Sequence, residues 1–430
     1  MTSTSKKLGI AILGYGVVGS GTYKILKERK DAFSSRYGVD AEVLYVMEKF
    51  QERAIKDGVP KQILTQDIQK IVQDPAVTTV VDCIGGIEPV KSYLSAALEA
   101  GKNVVTANKE LLSKHFAELE IIAKAHNAGL YFEASCGGGI PVIRTLNEAM
   151  QANEILELKG IVNGTTNFIL TKMAAEGADY AAVLKEAQAL GYAEANPSAD
   201  VDGFDAAYKL SILGTLAFGL PIPVEAVYRE GIGKVTLADI RFGQEFGYTL
   251  KLLAIGKRRG AKIEARVHPV FIPDSHPMAA VAGSFNAVYI VGDNVGEIML
   301  YGRGAGSLPT GSAVVSDIIF SAKQNTAPRF EAVLQKRDSS KFIKNFESEY
   351  YLRVSAYDKP GVLAEIARIF AENNVSIVSM HQKGVKSATV PIIFMTHKTS
   401  EKNMQTAVAL IEKLKDKVLG VDALIRVEAA

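Results

Sequence analysis

The sequence lacks several features that mark specialised classes of protein. Its 430 residues contain no tryptophan and only two cysteines, which excludes a disulfide framework and indicates a reducing compartment. No apolar run reaches the roughly 18 residues that a membrane-spanning helix requires. The net charge is only +2 and there is no basic tract, so neither nucleic acid nor a membrane is expected as a partner. We therefore expect a cytoplasmic protein that acts on small molecules.

The chain divides into segments with different patterns of apolar residues. Up to Ser135, short β-branched runs alternate with longer amphipathic segments, which predicts βαβ units and a doubly wound parallel sheet of the Rossmann type. A mixed pattern then predicts a central α+β domain, and a polar stretch predicts a linker. The last segment reads strand, helix, strand, strand, helix, strand, a ferredoxin-like βαββαβ unit. The predicted segments are residues 1–140, 141–322, 323–347 and 348–430.

A glycine-rich turn follows the first predicted strand and opens a helical segment. It fits the pattern G-x-G-x-x-G, in which the first glycine allows a tight turn, the second admits a pyrophosphate and the third lets the helix pack on the strand. The free N–H groups of the helix N-terminus favour the phosphates. A dinucleotide site is therefore predicted at Gly14, Tyr15, Gly16, Val17, Val18 and Gly19.

Charged residues after the second predicted strand bear on which dinucleotide binds. Glu48 is placed to accept the ribose hydroxyls of NAD, whereas Lys49 and Arg53 suit the 2′-phosphate of NADP. All three are equally compatible with ordinary surface charges, so the sequence leaves NAD and NADP both open. In open parallel sheets, ligands also collect beyond the carboxyl ends of the other strands. Gly85 and Thr106 lie at two such ends.

Lysine at the start of a helix is unusual because cations favour the opposite helix end. Lys109 has this position after the fourth predicted strand, which indicates contact with an anion or a polar substrate. A second lysine, Lys209, lies one helical turn after Asp205, so both side chains share one face of an otherwise apolar helix. Buried charges require a polar cavity, which favours a catalytic pair over a surface ion pair. The preceding loop adds Glu194 and Asp200.

Several motifs together resemble those of homoserine dehydrogenase in the form that carries a C-terminal ACT domain. The resemblance spans nearly the whole chain and implies interconversion of L-homoserine and L-aspartate 4-semialdehyde with NAD or NADP, in the branch leading to threonine and methionine. The motifs are GYGVVG (14–19), TANKE (106–110), YFEASCGGGIPVI (131–143), GIVNGTTNFIL (160–170), GYAEANPSADVDGFDAAYKL (191–210) and GRGAGSLPTGSAVVSDI (302–318).

The resemblance also implies roles for individual residues. Lys209 becomes the proton donor, Asp205 holds substrate and lysine, and Lys109 contacts both cofactor and substrate. Glu194 is expected to bind the substrate amino group, and Gly306 to close on the cofactor. The implied substrate site further includes Asp200, Gly164 and Thr165. A monovalent cation, Na⁺ or K⁺, is implied at Glu133, Cys136, Gly138 and Ile140, and a homodimer or homotetramer is expected. Relatives are expected to have Asp-Pro-Thr where this chain has Asn-Pro-Ser at 196–198, a change that removes one carboxylate from the loop.

The C-terminal unit carries a loop suited to an amino-acid ligand. Pro360 and Gly361 shape a turn whose N–H groups can meet a carboxylate, and the resemblance to an ACT domain makes L-threonine the expected effector. The simpler interpretation is a dimerisation element without a ligand. The expected contacts are Asp358, Pro360, Gly361, Val362 and Leu363.

Two other functions are compatible with parts of the sequence. Cys136 follows a strand and precedes three glycines, which is compatible with the nucleophile of a phosphorylating semialdehyde dehydrogenase, although no histidine lies near it in sequence. A nucleotide-binding domain joined to an amino-acid-binding domain is also compatible with a sensor that has no catalytic activity.

Overall fold

A computed structural model describes residues 6–382 and 388–428 of the chain. Its first part is a six-stranded sheet in which every pairing is parallel and the strand order is β3-β2-β1-β4-β5-β6. The strands are β1 (Lys6–Leu13), β2 (Val39–Met47), β3 (Leu64–Thr65), β4 (Val77–Asp82), β5 (Asn103–Thr106) and β6 (Leu130–Tyr131). The helices are α1 (Val17–Glu28), α2 (Lys30–Tyr37), α3 (Glu52–Lys56), α4 (Ile68–Gln73), α5 (Val90–Glu99) and α6 (Lys109–Ala125). The predicted doubly wound sheet is confirmed.

The second part contains seven helices, five long strands and one short strand. Its helices are α7 (Val142–Arg144), α8 (Gly164–Glu176), α9 (Tyr180–Ala189), α10 (Ser198–Val201), α11 (Phe204–Phe218), α12 (Leu237–Glu245) and α13 (Ser307–Lys323). Its strands are β7 (Ile155–Ile161), β8 (Tyr228–Arg229), β9 (Tyr248–Arg259), β10 (Lys262–Pro273), β11 (Phe285–Gly292) and β12 (Gly296–Arg303). The mixture of helices and mostly antiparallel strands matches the expected α+β character.

The C-terminal part has the predicted order of elements. These are β13 (Glu347–Tyr357), α14 (Val362–Glu372), β14 (Ile377–Gln382), β15 (Thr389–Thr396), β16 (Thr399–Ser400), α15 (Glu401–Ile411) and β17 (Val418–Val427). They do not form a separate sheet, because β17 pairs in parallel with β10 of the central part. The result is one sheet of eleven strands. Nine of them follow the order β12-β11-β7-β9-β10-β17-β13-β15-β14, while β16 pairs with β13 and β8 pairs with β10.

Helix α13 packs on the nucleotide-binding part, although the sequence places it at the end of segment 141–322. Its apolar side chains belong to the same buried cluster as β1 and β2, including Val314 and Ile318. The helix approaches α1 so closely that a Cβ on Gly21 would lie 2.2 Å from the Ser307 carbonyl oxygen. The predicted division near residue 140 therefore separates a helix from the core on which it packs.

The polar stretch 323–347 is anchored to the rest of the molecule by buried aromatic rings. Phe330 packs against Phe116 and Phe132, with ring centroids 5.4 and 4.9 Å apart. Phe342 and Phe346 are also buried. In the described ranges, no helix combines the length and the hydropathy needed to span a membrane. Both cysteines are free.

Candidate active site

The acid and the lysine on helix α11 point into the protein and contact each other. Lys209 Nζ lies 2.7 Å from Asp205 Oδ2, and both side chains are about nine-tenths buried. The same ammonium donates to the main-chain carbonyl of Val162, also at 2.7 Å. The helix buries most of its surface, so helical periodicity alone brings both charged groups to one interior site. The pair is therefore not an ordinary surface ion pair.

Lys109 reaches the same carboxylate from the nucleotide-binding part. Its ammonium lies 3.3 Å from Asp205 Oδ1, and its side chain stays half-exposed. The charge of Asp205 raises the pKa of Lys109. Burial alone would raise the pKa of Asp205, but the two lysines outweigh burial and hold that pKa below its usual range. Asp205 is therefore an ionised carboxylate between two ammonium groups.

A buried asparagine that the sequence analysis did not identify completes this cluster. Asn163 caps helix α8, where its Oδ1 accepts from the N–H of Thr166 at 2.9 Å. Its Nδ2 donates to Asp200 Oδ1 at 2.7 Å and to Asp205 Oδ2 at 3.0 Å. The motif NGTT contains the sequence pattern of a helix N-cap, but that pattern alone gives no indication of which side chains the amide meets.

The other residues expected at the substrate site lie at different distances from this cluster. Asp200 is half-buried, and burial raises the pKa of its carboxyl group. Thr165 Oγ1 donates to the carbonyl of Tyr192 at 2.6 Å, which ties the first turn of α8, where Gly164 also lies, to the loop before Glu194. Glu194 is exposed, and within the described residues its carboxylate makes no hydrogen bond or ion pair.

The glycine turn joins β1 to α1 as predicted and is open where a pyrophosphate would lie. Gly14 has a φ of 90°, in the left-handed region. A Cβ on Gly16 would meet no atom within 4 Å, so the second glycine of the motif faces free space. A Cβ on Gly19 would lie 2.0 Å from the Gly14 carbonyl oxygen, so this position has no room for a side chain. These features fit a dinucleotide.

The charged residues after β2 lie beside this turn and differ in their contacts. Glu48 accepts the N–H of Tyr15 at 2.6 Å and that of Lys49 at 2.8 Å, so its carboxylate is held by the main chain. Arg53 donates to Ser20 Oγ in the first turn of α1 at 3.0 Å and is exposed. Lys49 is also exposed. The structure therefore places one acidic and two basic groups near the expected adenosine ribose.

The ends of β4 and β5 bring Lys109 to the same edge of the sheet as the glycine turn. Asn108 Nδ2 donates to the Gly86 carbonyl at 2.5 Å, which joins the start of α6 to the loop after β4. Gly85 has a φ of 85°, and a Cβ there would meet no atom within 4 Å. The Thr106 hydroxyl is buried and donates to Asp82 at 2.8 Å, so that side chain is already engaged.

The turn before α13 returns to this edge and is packed tightly. Gly306 has a φ of 121° and precedes the first residue of α13. Two residues earlier, a Cβ on Gly304 would lie 2.0 Å from Nδ2 of the buried Asn286. Since α13 packs against α1, the Gly306 turn lies on the nucleotide-binding side of the molecule, as the cofactor-closing role requires.

The residues expected to hold a cation do not offer a set of side-chain ligands. The carboxylate of Glu133 accepts the N–H of Ile143 at 2.7 Å and Nε of Arg144 at 3.1 Å. Cys136 is fully buried, and the carbonyl of Ile140 accepts from Val142. Among the described residues, no group of three or more His, Cys, Asp or Glu side chains is arranged to bind a metal. Only main-chain oxygens, such as that of Gly138, remain as ligands.

Cys136 has the properties of a structural cysteine. Burial raises the pKa of its thiol to about 12, so the thiolate that a nucleophile requires is scarce at neutral pH. Its sulfur lies near Ser135 Oγ at 3.6 Å and the Lys209 carbonyl at 4.0 Å, and no histidine contacts it in the described chain. This environment argues against the alternative of an acylating dehydrogenase.

The loop expected to bind an effector lies at the surface of the C-terminal part. It connects β13 to α14, and Gly361 caps the helix with a φ of 89°. Asp358 and Pro360 are exposed, whereas Val362 is buried and Leu363 is half-buried. The carboxylate of Asp358 accepts from Gln382 at the end of β14, at 3.4 Å.

Comparisons with known proteins cover all three parts of the chain. Residues 14–133 match the family model described as homoserine dehydrogenase, NAD binding domain, residues 141–319 match homoserine dehydrogenase, and residues 350–416 match the ACT domain. The homoserine dehydrogenase of Neisseria gonorrhoeae is 42% identical over 99% of both chains. That of Bacillus subtilis is 42% identical over 92% of this chain and 93% of its own.

Solved structures give the same result. The crystal structure of a homoserine dehydrogenase from Thiobacillus denitrificans superposes with a TM-score of 0.90 at 41% identity, over 99% of both chains. A homoserine dehydrogenase from Staphylococcus aureus superposes with a TM-score of 0.76 at 34% identity, over 98% of this chain and 99% of that one. The structural similarity to homoserine dehydrogenases therefore covers the C-terminal part as well as the nucleotide-binding and central parts.

Proposed function

The chain belongs to the homoserine dehydrogenase family, the NAD(P)-dependent oxidoreductases that interconvert L-homoserine and L-aspartate 4-semialdehyde, and we propose that Lys209 transfers the proton in this reaction. The observation that carries the proposal is the buried contact between Lys209 and Asp205, with Lys109 on the other carboxylate oxygen. The full-length similarity to homoserine dehydrogenases argues against a sensor without catalytic activity.

The reaction needs a proton and a hydride at the two ends of one C–O bond. When bound, the nicotinamide supplies the hydride to C4 of the semialdehyde, and accepts it from homoserine in reverse. The Lys209 ammonium donates a proton to the aldehyde oxygen as the alkoxide develops, and neutral Lys209 accepts that proton in the oxidising direction. Asp205 orients the ammonium, and Lys109 is close enough to add positive charge to the same site.

The test compares two lysine variants in an assay at 340 nm. Lys209→Met should lower kcat by about 10² to 10⁴ in both directions, with unchanged dinucleotide binding by fluorescence titration. Lys109→Met should act mainly on KM, because Lys109 contributes charge and contacts but not the proton. If Lys209→Met turns over within a few-fold of the parent protein while Lys109→Met does not, the proton belongs to Lys109.

We propose that the loop carboxylates receive the ammonium group of the substrate. Asn163 holds Asp200 beside Asp205, and among the described residues no lysine forms an ion pair with Asp200. Glu194 likewise forms no ion pair there. Gly164 and Thr165 begin helix α8, whose free N–H groups suit the substrate carboxylate. Glu194→Gln should raise the KM for homoserine with little change in kcat.

We propose that NADP is the better cofactor. Glu48 is held by main-chain N–H groups, while Lys49 and Arg53 are exposed beside the glycine turn, where Arg53 can exchange its bond to Ser20 for one to a 2′-phosphate. An archaeal homoserine dehydrogenase of known structure, 30% identical over 75% of this chain, was solved with NADPH. Arg53→Gln should lower kcat/KM for NADP and leave that for NAD nearly unchanged; equal losses with both cofactors would contradict the assignment.

We further propose a Na⁺ or K⁺ ion on the main-chain oxygens of Glu133, Cys136, Gly138 and Ile140, and a homodimer or homotetramer. The turn itself supports the first proposal, because Gly137 and Gly138 both have positive φ, a main-chain conformation that residues with side chains rarely adopt. Activity in tetramethylammonium buffer, with NaCl or KCl added back, tests the cation proposal. Sedimentation velocity gives the oligomeric state.

The free cysteines support the expected location in the cytoplasm.

We propose that L-threonine inhibits the enzyme by binding at residues 358–363. The exposed loop, its contact with Gln382 and the match to the ACT domain support this. Removing the whole C-terminal part would not test it, because that part completes the central sheet through β17. Asp358→Ala should raise the threonine concentration for half-inhibition without changing uninhibited kcat. An unchanged inhibition curve would leave the loop without a regulatory role.

A further inference from the structure

Asn163 connects the N-terminus of helix α8 with the catalytic pair, and both ends of its amide are occupied. On one side, Oδ1 accepts from the N–H and from the hydroxyl of Thr166, each at 2.9 Å. The main-chain N–H can only donate, so it fixes which end of the amide is the oxygen. The Nδ2 group must therefore face the opposite way, where its two protons meet Asp200 and Asp205.

The main chain beside Asn163 holds the other member of the pair. The carbonyl of Val162 accepts from Lys209 Nζ at 2.7 Å, while Asn163 Nδ2 donates to Asp205 Oδ2 at 3.0 Å. Two consecutive residues thus bind the lysine and its carboxylate separately. Asn163 is 5% exposed, so water does not replace these bonds easily.

Asp205 can pair with either of two lysines, and the Asn163 amide favours the pairing with Lys209. Its Oδ1 faces Lys109 at 3.3 Å and its Oδ2 faces Lys209 at 2.7 Å. Without the amide, no donor lies between Asp200 and Asp205, and the two carboxylates repel each other. Asp205 is then also able to turn toward Lys109. Either change would move the Lys209 ammonium from its place.

We propose that Asn163 is a positioning residue for hydride and proton transfer: its amide holds Asp205 against Lys209 and bridges Asp205 to Asp200. The proposal rests on the proposed function of Lys209. It assigns no contact between Asn163 and the substrate. The amide acts through the two carboxylates, and the N-cap bonds of Oδ1 make its orientation rigid.

Two substitutions separate positioning from helix capping. Serine and aspartate are both good N-caps, so Asn163→Ser and Asn163→Asp should each keep helix α8 and the far-ultraviolet circular dichroism of the parent. Asn163→Ser removes both donors to the carboxylates and should lower kcat about 10- to 100-fold, because small misplacements of a catalytic group have effects of this size. The KM for NADP should stay within two-fold.

The aspartate variant adds a prediction that a purely structural role would not make. It brings a third carboxylate into contact with Asp200 and Asp205, and like charges at this distance raise each other's pKa. The acid limb of the kcat/KM profile for homoserine should therefore move upward by about one pH unit or more relative to the parent. Asn163→Ser should not shift this limb upward to the same extent.

Asn167, one turn along the same helix, provides a matched control. It is buried and donates to the carbonyls of Val281 and Phe285, away from the catalytic pair. Asn167→Ser at matched thermal stability should keep kcat within a few-fold. Equal losses in the two serine variants, or a parental pH profile in Asn163→Asp, would overturn the proposal. Failure of the proposed function of Lys209 would appear differently, as turnover of Lys209→Met within a few-fold of the parent protein.

Discussion

Glu428, at the end of the last strand, should contribute substantially to holding the C-terminal part on the central sheet. Its carboxylate contacts Arg266 and Lys257 and lies 3.8 Å from Lys159, and all four side chains are buried or nearly so. Burial alone would raise the pKa of Glu428, but the three cations outweigh it and lower the pKa from 4.5 to about 2. At 1.36 kcal/mol per pKa unit, the interaction is worth about 3 kcal/mol.

Replacing Glu428 by glutamine should remove this amount from the local stability. Glu157 and Glu264 remain near the three cations, so the variant buries one positive charge in excess, the situation in which breaking a buried pair costs about 3 to 5 kcal/mol. Hydrogen exchange of the amides of β10 and β17 at pH 7 reports the free energy of local opening. We expect it to fall by about 3 kcal/mol in Glu428→Gln.

The pH dependence gives a second measurement with a definite sign. Because folding lowers the pKa of Glu428, its contribution is complete above about pH 4.5 and is lost as the pH falls toward 2. The parent protein should lose thermal stability over this window more steeply than Glu428→Gln. Glu331→Gln serves as a control, because its ion pair with Lys124 is exposed and is worth at most about 1 kcal/mol. A loss in Glu428→Gln no larger than in the control would refute the reasoning.

Three further predictions concern the site and its surroundings. Gly16→Ala should weaken NADP binding at least ten-fold and leave the thermal midpoint of the cofactor-free protein unchanged, since the added Cβ meets no protein atom. Gly21→Ala should lower that midpoint, although alanine favours helix, because its Cβ would lie 2.2 Å from the Ser307 carbonyl oxygen. Burial raises the pKa of Asp200, so the KM for homoserine should rise as the pH falls through that value, and Asp200→Asn should flatten this dependence; a parental KM profile in that variant would contradict it.

Elements with local signals were predicted well. The sequence pattern predicts helices at 90–99 and 362–372 and a strand at 103–106, and all three elements have these bounds in the structure, because the periodicity of apolar residues is a local feature. The same pattern predicts a strand at 130–133, but the strand ends at Tyr131 and a short 3₁₀ turn follows from Glu133. The length of β9 and β10 was missed, since Lys and Arg interrupt their apolar pattern at positions where buried ion pairs accommodate them.

The sheet that joins the central and C-terminal parts could not have been predicted from the sequence. Strand β17 shows an ordinary strand pattern, and nothing in it specifies pairing with β10 rather than with another copy of the chain. Two residues of each strand are paired there, and buried ion pairs of Arg266 and Glu428 complete the contact. Such long-range pairing depends on shape and charge assembled from distant segments.

The sequence by itself determined that Asp205 and Lys209 share one helical face and that Gly14 to Gly19 form a tight glycine turn between a strand and a helix, because helical spacing and glycine dihedrals are properties of short segments. Only the tertiary structure decided that Lys109 and Asn163 meet Asp205, since the amide lies 42 residues before that carboxylate and belongs to a different helix. A contact between distant segments exists only once both are packed on one core. The local pattern therefore placed the carboxylate and the ammonium side by side, and the packing supplied the groups that contact them.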